Sequence, residues 1–238
     1  MSVFADLVER LADLLQPLFH ASAAAAAIIL FTALVRLLVH PLSRAAARGQ
    51  RARAALQPKV AELRKKHGKD PGKLQKAVLE LHAEEKVSPL SGCLPSLLQM
   101  PAFFLLYHLF SNSTIGGERN GLLTHELFAA PLGGRWADAL GDGGVFGGAG
   151  LVYLGLFAVV AAVATFNYLR TKRMTATNTL LPVADGGEQV PGLAAAGKVM
   201  PFMPYLTLLT VAFVPLAAAL YVVTSTTWSA VERAVLYR

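Results

Sequence analysis

The sequence predicts an all-α polytopic membrane protein with five transmembrane helices and a cytoplasmic helical hairpin after the first. Three observations carry that prediction. Of 238 residues, 54% are hydrophobic and only 16% charged, with a mean hydropathy of +0.48, whereas about a quarter of a typical soluble domain is charged. Apolar runs close to the roughly 20 residues that cross a hydrocarbon core recur along the chain. Lys and Arg gather in alternate segments between those runs, as they do in cytoplasmic loops. The single cysteine, Cys93, permits no internal disulfide and cannot alone build a zinc site or an iron–sulfur cluster, which argues against redox chemistry.

Residues 1–20 read as an amphipathic helix on the outer membrane surface. Phe4, Leu7, Val8, Leu11, Leu14, Leu15 and Leu18 recur at helical spacing, with Asp6, Glu9, Arg10 and Asp13 between them. These residues show no signal-peptide pattern and no lipid-accepting cysteine. The first span is 21–40, whose one charge is Arg36. The second, 93–110, and the third, 150–168, carry no formal charge. The last apolar stretch, Val199 to Val231, would extend about 50 Å as one helix, too long for a core of about 30 Å. Splitting it at Pro215 yields a fourth span, 199–214, and a fifth, 215–231, both slightly short for an ordinary bilayer.

Charge orients these spans. The segment 41–92 holds twelve basic and five acidic residues, the loop 169–198 four and two, and the tail 232–238 carries Arg233 and Arg238 with Glu232. All three belong in the cytoplasm. Residues 1–20 hold one basic and three acidic residues and the loop 111–149 two and four, so both lie outside. Four spans would leave Arg233 and Arg238 outside, so length and charge favour five, with the N-terminus out and the C-terminus in.

Within 41–92, Leu56, Val60 and Leu63 form one apolar stripe and Leu74, Val78 and Leu81 another, separated by His67-Gly68-Lys69-Asp70-Pro71. Gly68 can end one helix, while Asp70 caps the next with Pro71 in its first turn. The pair reads as a mobile arm with strongly basic outer faces: Arg51, Arg53, Lys59, Arg64, Lys65, Lys66, Lys73 and Lys76. Those charges either face solvent and anionic headgroups or form a docking surface for a ribosome, targeting receptor or nascent chain.

Arg36 is the best single clue to chemistry, because an ionisable group within a span normally faces protein or water. Its alternative is to snorkel to the nearby headgroups. Gln99 and His108, Thr165 and Asn167, Thr207 and Thr210, and the Thr224 to Thr227 cluster could line a wet cavity, although Ser and Thr often bond back to their own helix. Glu80, His82, Glu84 and Glu85 form no metal pattern. There are no paired intramembrane carboxylates and no G-x-S-x-G elbow, so an enzyme is not expected. The glycine cluster Gly141 to Gly150 lacks a phosphate-loop ending and reads as a flexible outer loop. Pro89, Pro95, Pro101, Pro201, Pro204 and Pro215 suggest kinked, splayed packing.

The run Ser91 to Phe110, SGCLPSLLQMPAFFLLYHLF, resembles the entry of a span in the YidC family of membrane protein insertases. ALVRLLVHPLS with Arg36 five residues before Pro41, the basic hairpin, KVMPFMPYLTLL and VPLAAALYVVTSTTW follow in the same order, so the resemblance covers about Ala21 to Trp228. It implies a bacterial plasma-membrane insertase of five spans around a hydrophilic groove, open to cytoplasm and lipid and closed outside. Arg36 matches the family's groove arginine, and Gln99, Thr165, Asn167, Thr207 and Thr224 are the expected lining. Ala217 stands where the family has glycine and Val222 where it has tryptophan, and no long basic tail follows Trp228, so tight ribosome binding is not expected. The implied partners are nascent membrane proteins and lipid, with a ribosome, targeting receptor or general secretion channel as further candidates. No cofactor, metal or nucleic-acid specificity is expected. The competing readings are a small transporter or channel using Arg36 as an anion or proton-coupled site, for which inverted repeats and intramembrane acids are missing, and a scaffold with a dry interior.

Overall fold

A computed structural model describes residues 2–67, 70–87, 94–141, 143–177 and 199–236. The expected turn at Gly68, the cytoplasmic loop beyond Thr177 and the Arg238 end of the tail lie outside them. Helix α1 (Ser2–Phe19) turns through His20–Ser22 into α2 (Ala23–His67). The turn reverses the chain, so that α1 packs on α2. Its apolar arc divides in two as a result. Ala5, Val8 and Ala12 are buried, while Leu7, Leu14 and Leu18 stay exposed.

Helix α2 runs unbroken for 45 residues, about 68 Å at 1.5 Å each. The expected border between span and arm at residue 40 is therefore not a break. An interior proline forfeits one helical hydrogen bond and strains the turn before it, yet Pro41 and Pro58 both sit inside α2. Contacts on either side of Pro41 keep the rod in line. Arg36 and His40 before it, and Arg51 after it, all bond the C-terminal helix α8 (Leu216–Leu236). Helix α3 (Pro71–Glu84) then folds back along α2. Asp70 caps it by accepting the Lys73 N–H at 3.1 Å, and that bond holds the Asp70 carboxyl below the usual carboxylate range. Leu56 and Val60 are buried, and a Lys59–Glu85 ion pair closes the hairpin.

Helix α4 (Leu94–Ser111) leads into the segment expected to lie on the outer side, which holds several short elements. It holds two short antiparallel hairpins, β1 (Thr114–Ile115) with β2 (Glu118–Arg119) and β3 (Glu126–Leu127) with β4 (Ala130–Pro131), then α5 (Trp136–Gly141). Asn120, 3% exposed, ties it together. Its Nδ2 donates to Leu109 O at 2.8 Å and Asn112 O at 2.9 Å, and its Oδ1 accepts the Leu122 N–H. Asn120→Ala leaves those buried groups unpaired and is expected to destabilise the protein by about 2 kcal/mol, lowering the thermal midpoint measured in detergent micelles.

The glycine-rich stretch packs closely where it enters the next helix. Gly144 takes φ +72°, a conformation that disfavours side chains. Gly150, in the first turn of α6 (Gly148–Thr177), packs directly on the preceding chain: a Cβ there would lie 2.4 Å from Gly144 O and 2.5 Å from Val145 O. Close approach of backbone to backbone, not looseness, is what these glycines permit.

Before α8 come a 3₁₀ turn (Met200–Tyr205) and the short helix α7 (Leu206–Phe213). Val214 is extended, so the chain breaks at Pro215. A helix start leaves N–H groups without intrahelical partners, and here the outer segment supplies them. Leu216 N–H donates to Gly134 O and Ala217 N–H to Leu132 O, both at 2.9 Å. The Tyr153 hydroxyl also donates to Gly134 O at 2.7 Å. Residues 216–223 are buried throughout and form the hub. Tyr221 meets Phe103 and Phe110 of α4, while α2, α6 and α7 pack around the rest.

Large apolar side chains nonetheless stay exposed along these helices, including Leu38 at 79% and Phe213 at 75%, more than a water-soluble surface carries. Among the described residues, Val3–His67 and Gly148–Lys172 are long and apolar enough to cross a membrane, and Phe202–Phe213 is a shorter apolar helix.

Candidate functional site

Arg36 lies on the side of α2 that faces α8. It is half-buried, and its guanidinium turns sideways into the bundle: Nε donates to Ser225 Oγ at 3.0 Å, and Nη2 bonds the same oxygen. A neutral hydroxyl does not cancel its charge. Glu232, the acidic residue of α8, is engaged by His40, whose Nδ1 is 2.5 Å from Glu232 Oε1. Among the described residues, no carboxylate forms an ion pair with Arg36. Glu232 acts on Arg36 only through space, and a half-desolvated guanidinium without a carboxylate in contact favours water or an incoming anion.

On the neighbouring side of α8 a cleft of about 190 Å³ opens between α6, the 3₁₀ turn, α7 and α8. Val160, Val163 and Ala164 form its apolar wall, while Asn167, Thr207, Thr226, Ser229 and Arg233 supply polar groups. Thr226 and Ser229 donate their hydroxyls back to Val222 O and Ser225 O, so their free lone pairs are acceptors. Asn167 Oδ1 is buried with no hydrogen-bond partner. Burying an acceptor unpaired costs about 1–3 kcal/mol.

The expected lining residues divide accordingly. Asn167 and Thr207 meet in the cleft. Thr165 does not: it is exposed and bonds the Tyr205 hydroxyl at 3.0 Å, because two residues turn a helix by about 200°. Thr224 belongs to neither place. The turn of about 100° per residue gives Ser225 to Arg36 and Thr226 to the cleft. His108 sits near the end of α4, its Nδ1 2.7 Å from Asn112 Nδ2. The Gln99 side chain lies outside the described residues. Sequence reasoning missed Arg233, Glu232 and His40, assigned to the tail and the span border. The signal was that 225 and 232, seven residues apart, share one helical face, while 226, 229 and 233 share the next.

The arm's basic residues are not equally free. Lys59 pairs with Glu85, Lys73 with Asp70 at 3.3 Å and Lys76 with Glu80 at 4.0 Å, while Arg51 donates to Leu236 O. Arg53, Arg64, Lys65 and Lys66 make no ion pair among the described residues, so the unpaired charge concentrates on α2. On α3, i,i+3 and i,i+4 acids stand beside Lys73 and Lys76.

Mostly helical, with apolar helices facing outward and a lone guanidinium turned inward, the chain is of the helical membrane-protein class. It belongs to the 60Kd inner membrane protein family, whose model matches residues 15–238. It is similar to proteins named "Membrane protein insertase YidC". That of Histophilus somni (strain 129Pt) is 31% identical over 212 residues, 89% of this chain and 33% of the relative. That of Clostridium perfringens (strain 13 / Type A) is 44% identical over 87 residues, 37% of each chain. That of Magnetococcus marinus is 48% identical over 81 residues, 34% of this chain and 15% of the relative. The matches thus span 37% or less of these relatives' own lengths.

Proposed function

We propose that this chain is an insertase of the bacterial plasma membrane, which moves short acidic, hydrophilic segments of newly made membrane proteins outward while their apolar segments enter lipid. The observation that carries this reading is Arg36, held between α2 and α8 without a carboxylate partner and one helix face away from the polar cleft. No bond is made or broken. Carrying a charged side chain to the bilayer centre costs about 2.5–3.5 kcal/mol on insertion scales. A hydrated groove with a fixed positive charge offsets part of that cost for an acidic segment.

In this reading five spans enclose the groove, with the N-terminus outside and the C-terminus in the cytoplasm. Helix directions support it. The partners of α2 and α8 rise together, 36 with 225, 40 with 232 and 51 with 236, so these helices run the same way, as first and fifth spans do. Tyr168 with Phe202 and Thr165 with Tyr205 run oppositely, as third and fourth spans do. The 3₁₀ turn and α7 together reach only about 24 Å, short of a core of about 30 Å, so lipid thins beside the groove. The outer segment that caps α8 closes the groove outside. The free charges Arg53, Arg64, Lys65 and Lys66 suit delivery from a ribosome, targeting receptor or secretion channel.

The test is the protein alone in liposomes with a single-span client. Insertion without solute flux is expected; flux without insertion overturns the reading in favour of a transporter. Deleting 56–85 should slow insertion several-fold while the spans remain protected from protease. Unchanged insertion would show that the arm delivers nothing.

A further inference from the structure

We propose, on the basis of the insertase reading, that Arg233 and the cleft between α6, α7 and α8 form a second receiving station, which binds a hydrophilic client segment by its backbone and its carboxylate before Arg36 does. Thr226, Ser229 and Arg233 stand at i, i+3 and i+7 and share one face of α8. Ser225 and Glu232 occupy the adjoining face, toward α2. The two cations thus lie on different sides of the helix, yet stay close enough to repel each other. Arg233 lies eight residues beyond Ser225, about 12 Å further along the helix, on the side where α2 continues into the arm. A segment arriving from the arm meets Arg233 first.

The donor and acceptor pattern selects the ligand. Arg233 is exposed and forms no ion pair among the described residues, and its neighbour Glu232 is turned away to His40. The rest of the cleft offers acceptors: the lone pairs of Thr226 and Ser229, whose protons are committed to their own helix. A site with one fixed cation and several acceptors suits a molecule bearing both an anion and N–H donors. An acidic polypeptide segment has this chemistry, its peptide N–H groups meeting the Thr226 and Ser229 hydroxyl oxygens and its carboxylate meeting Arg233. An anionic phosphate headgroup without N–H donors satisfies the cation alone. The cleft, about 190 Å³, holds several waters at about 30 Å³ each until the segment displaces them.

The experiment compares two single-span clients in liposomes, identical except for Asp or Asn in the translocated tail. Arg233→Gln is expected to slow the Asp client about fivefold, the effect of one partly exposed charge pair, with the Asn client unchanged and Arg233→Lys restoring most of the rate. Equal slowing of both clients, no slowing of either, or no rescue by lysine overturns the station. So does a deficit present in vesicles containing phosphatidylglycerol but absent in phosphatidylcholine alone, since the headgroup is then the partner. Wild-type protein that inserts neither client overturns the insertase reading itself, a result distinct from all of these.

Discussion

Arg36→Ala is expected to slow insertion of a client with an acidic outer tail about tenfold, while a client with a neutral tail inserts at nearly the wild-type rate. The magnitude follows from the barrier. If a fixed guanidinium recovers about half of the 2.5–3.5 kcal/mol that a charge pays at the bilayer centre, its removal raises the barrier by about 1.4 kcal/mol, a factor of ten in rate. Arg36→Lys retains the charge but not the planar fork that places two N–H groups on Ser225 Oγ, so an intermediate rate is expected. The measurement is the initial rate of tail protection from protease inside liposomes. Equal rates for wild type and Arg36→Ala with the acidic client would remove the electrostatic step. The folded state should survive the substitution, because Arg36 bonds a neutral hydroxyl and the nearby Glu232 keeps its His40 partner.

Gly150→Ala tests the opposite property. Its added methyl would fall 2.4–2.5 Å from the carbonyl oxygens of Gly144 and Val145 and 2.8 Å from Val145 C, all backbone atoms that no rotamer change can move. Overpacking of this kind costs about 1–3 kcal/mol, and the rigid neighbours place it at the upper end. The strain falls where α6 begins and where the Tyr153 hydroxyl holds Gly134, whose carbonyl also accepts from the start of α8. We expect a lower thermal midpoint and less folded protein, with the ratio of acidic to neutral client insertion unchanged in the folded fraction. A wild-type midpoint would mean that the tight turn before α6 yields at no cost. Together the two variants separate selectivity from folding: one changes which client is inserted, the other how much protein is there to do it.

Several elements were legible in the chain because they depend on local composition. The helix at Leu94–Ser111, the long apolar helix from Gly148 and the break at Pro215 follow from apolar run length and from a residue without an N–H. The Asp70 cap was legible for a similar reason, since a carboxylate two residues before Gly72 competes well for orphan N–H groups. The continuity of α2 was not. Two interior prolines argue locally for an interruption, and the contacts that override them come from residues 225, 232 and 236, almost two hundred positions away. The folded outer segment was hidden likewise: its glycines have the composition of a loose linker, and only the backbone packed against Gly150 shows that they are tight.

The sequence by itself determined that this chain is rich in membrane-length apolar helix, that its basic residues gather in alternate segments and that Arg36 is the lone formal charge within residues 21–40, because partition between water and lipid depends on composition counted along the chain. Tertiary structure alone decided which hydroxyl Arg36 meets, that Thr165 and Thr224 turn away from the cleft, and that Arg233 enters it. Those outcomes depend on the rotation of each helix about its axis, which the packing of side chains around α8 sets.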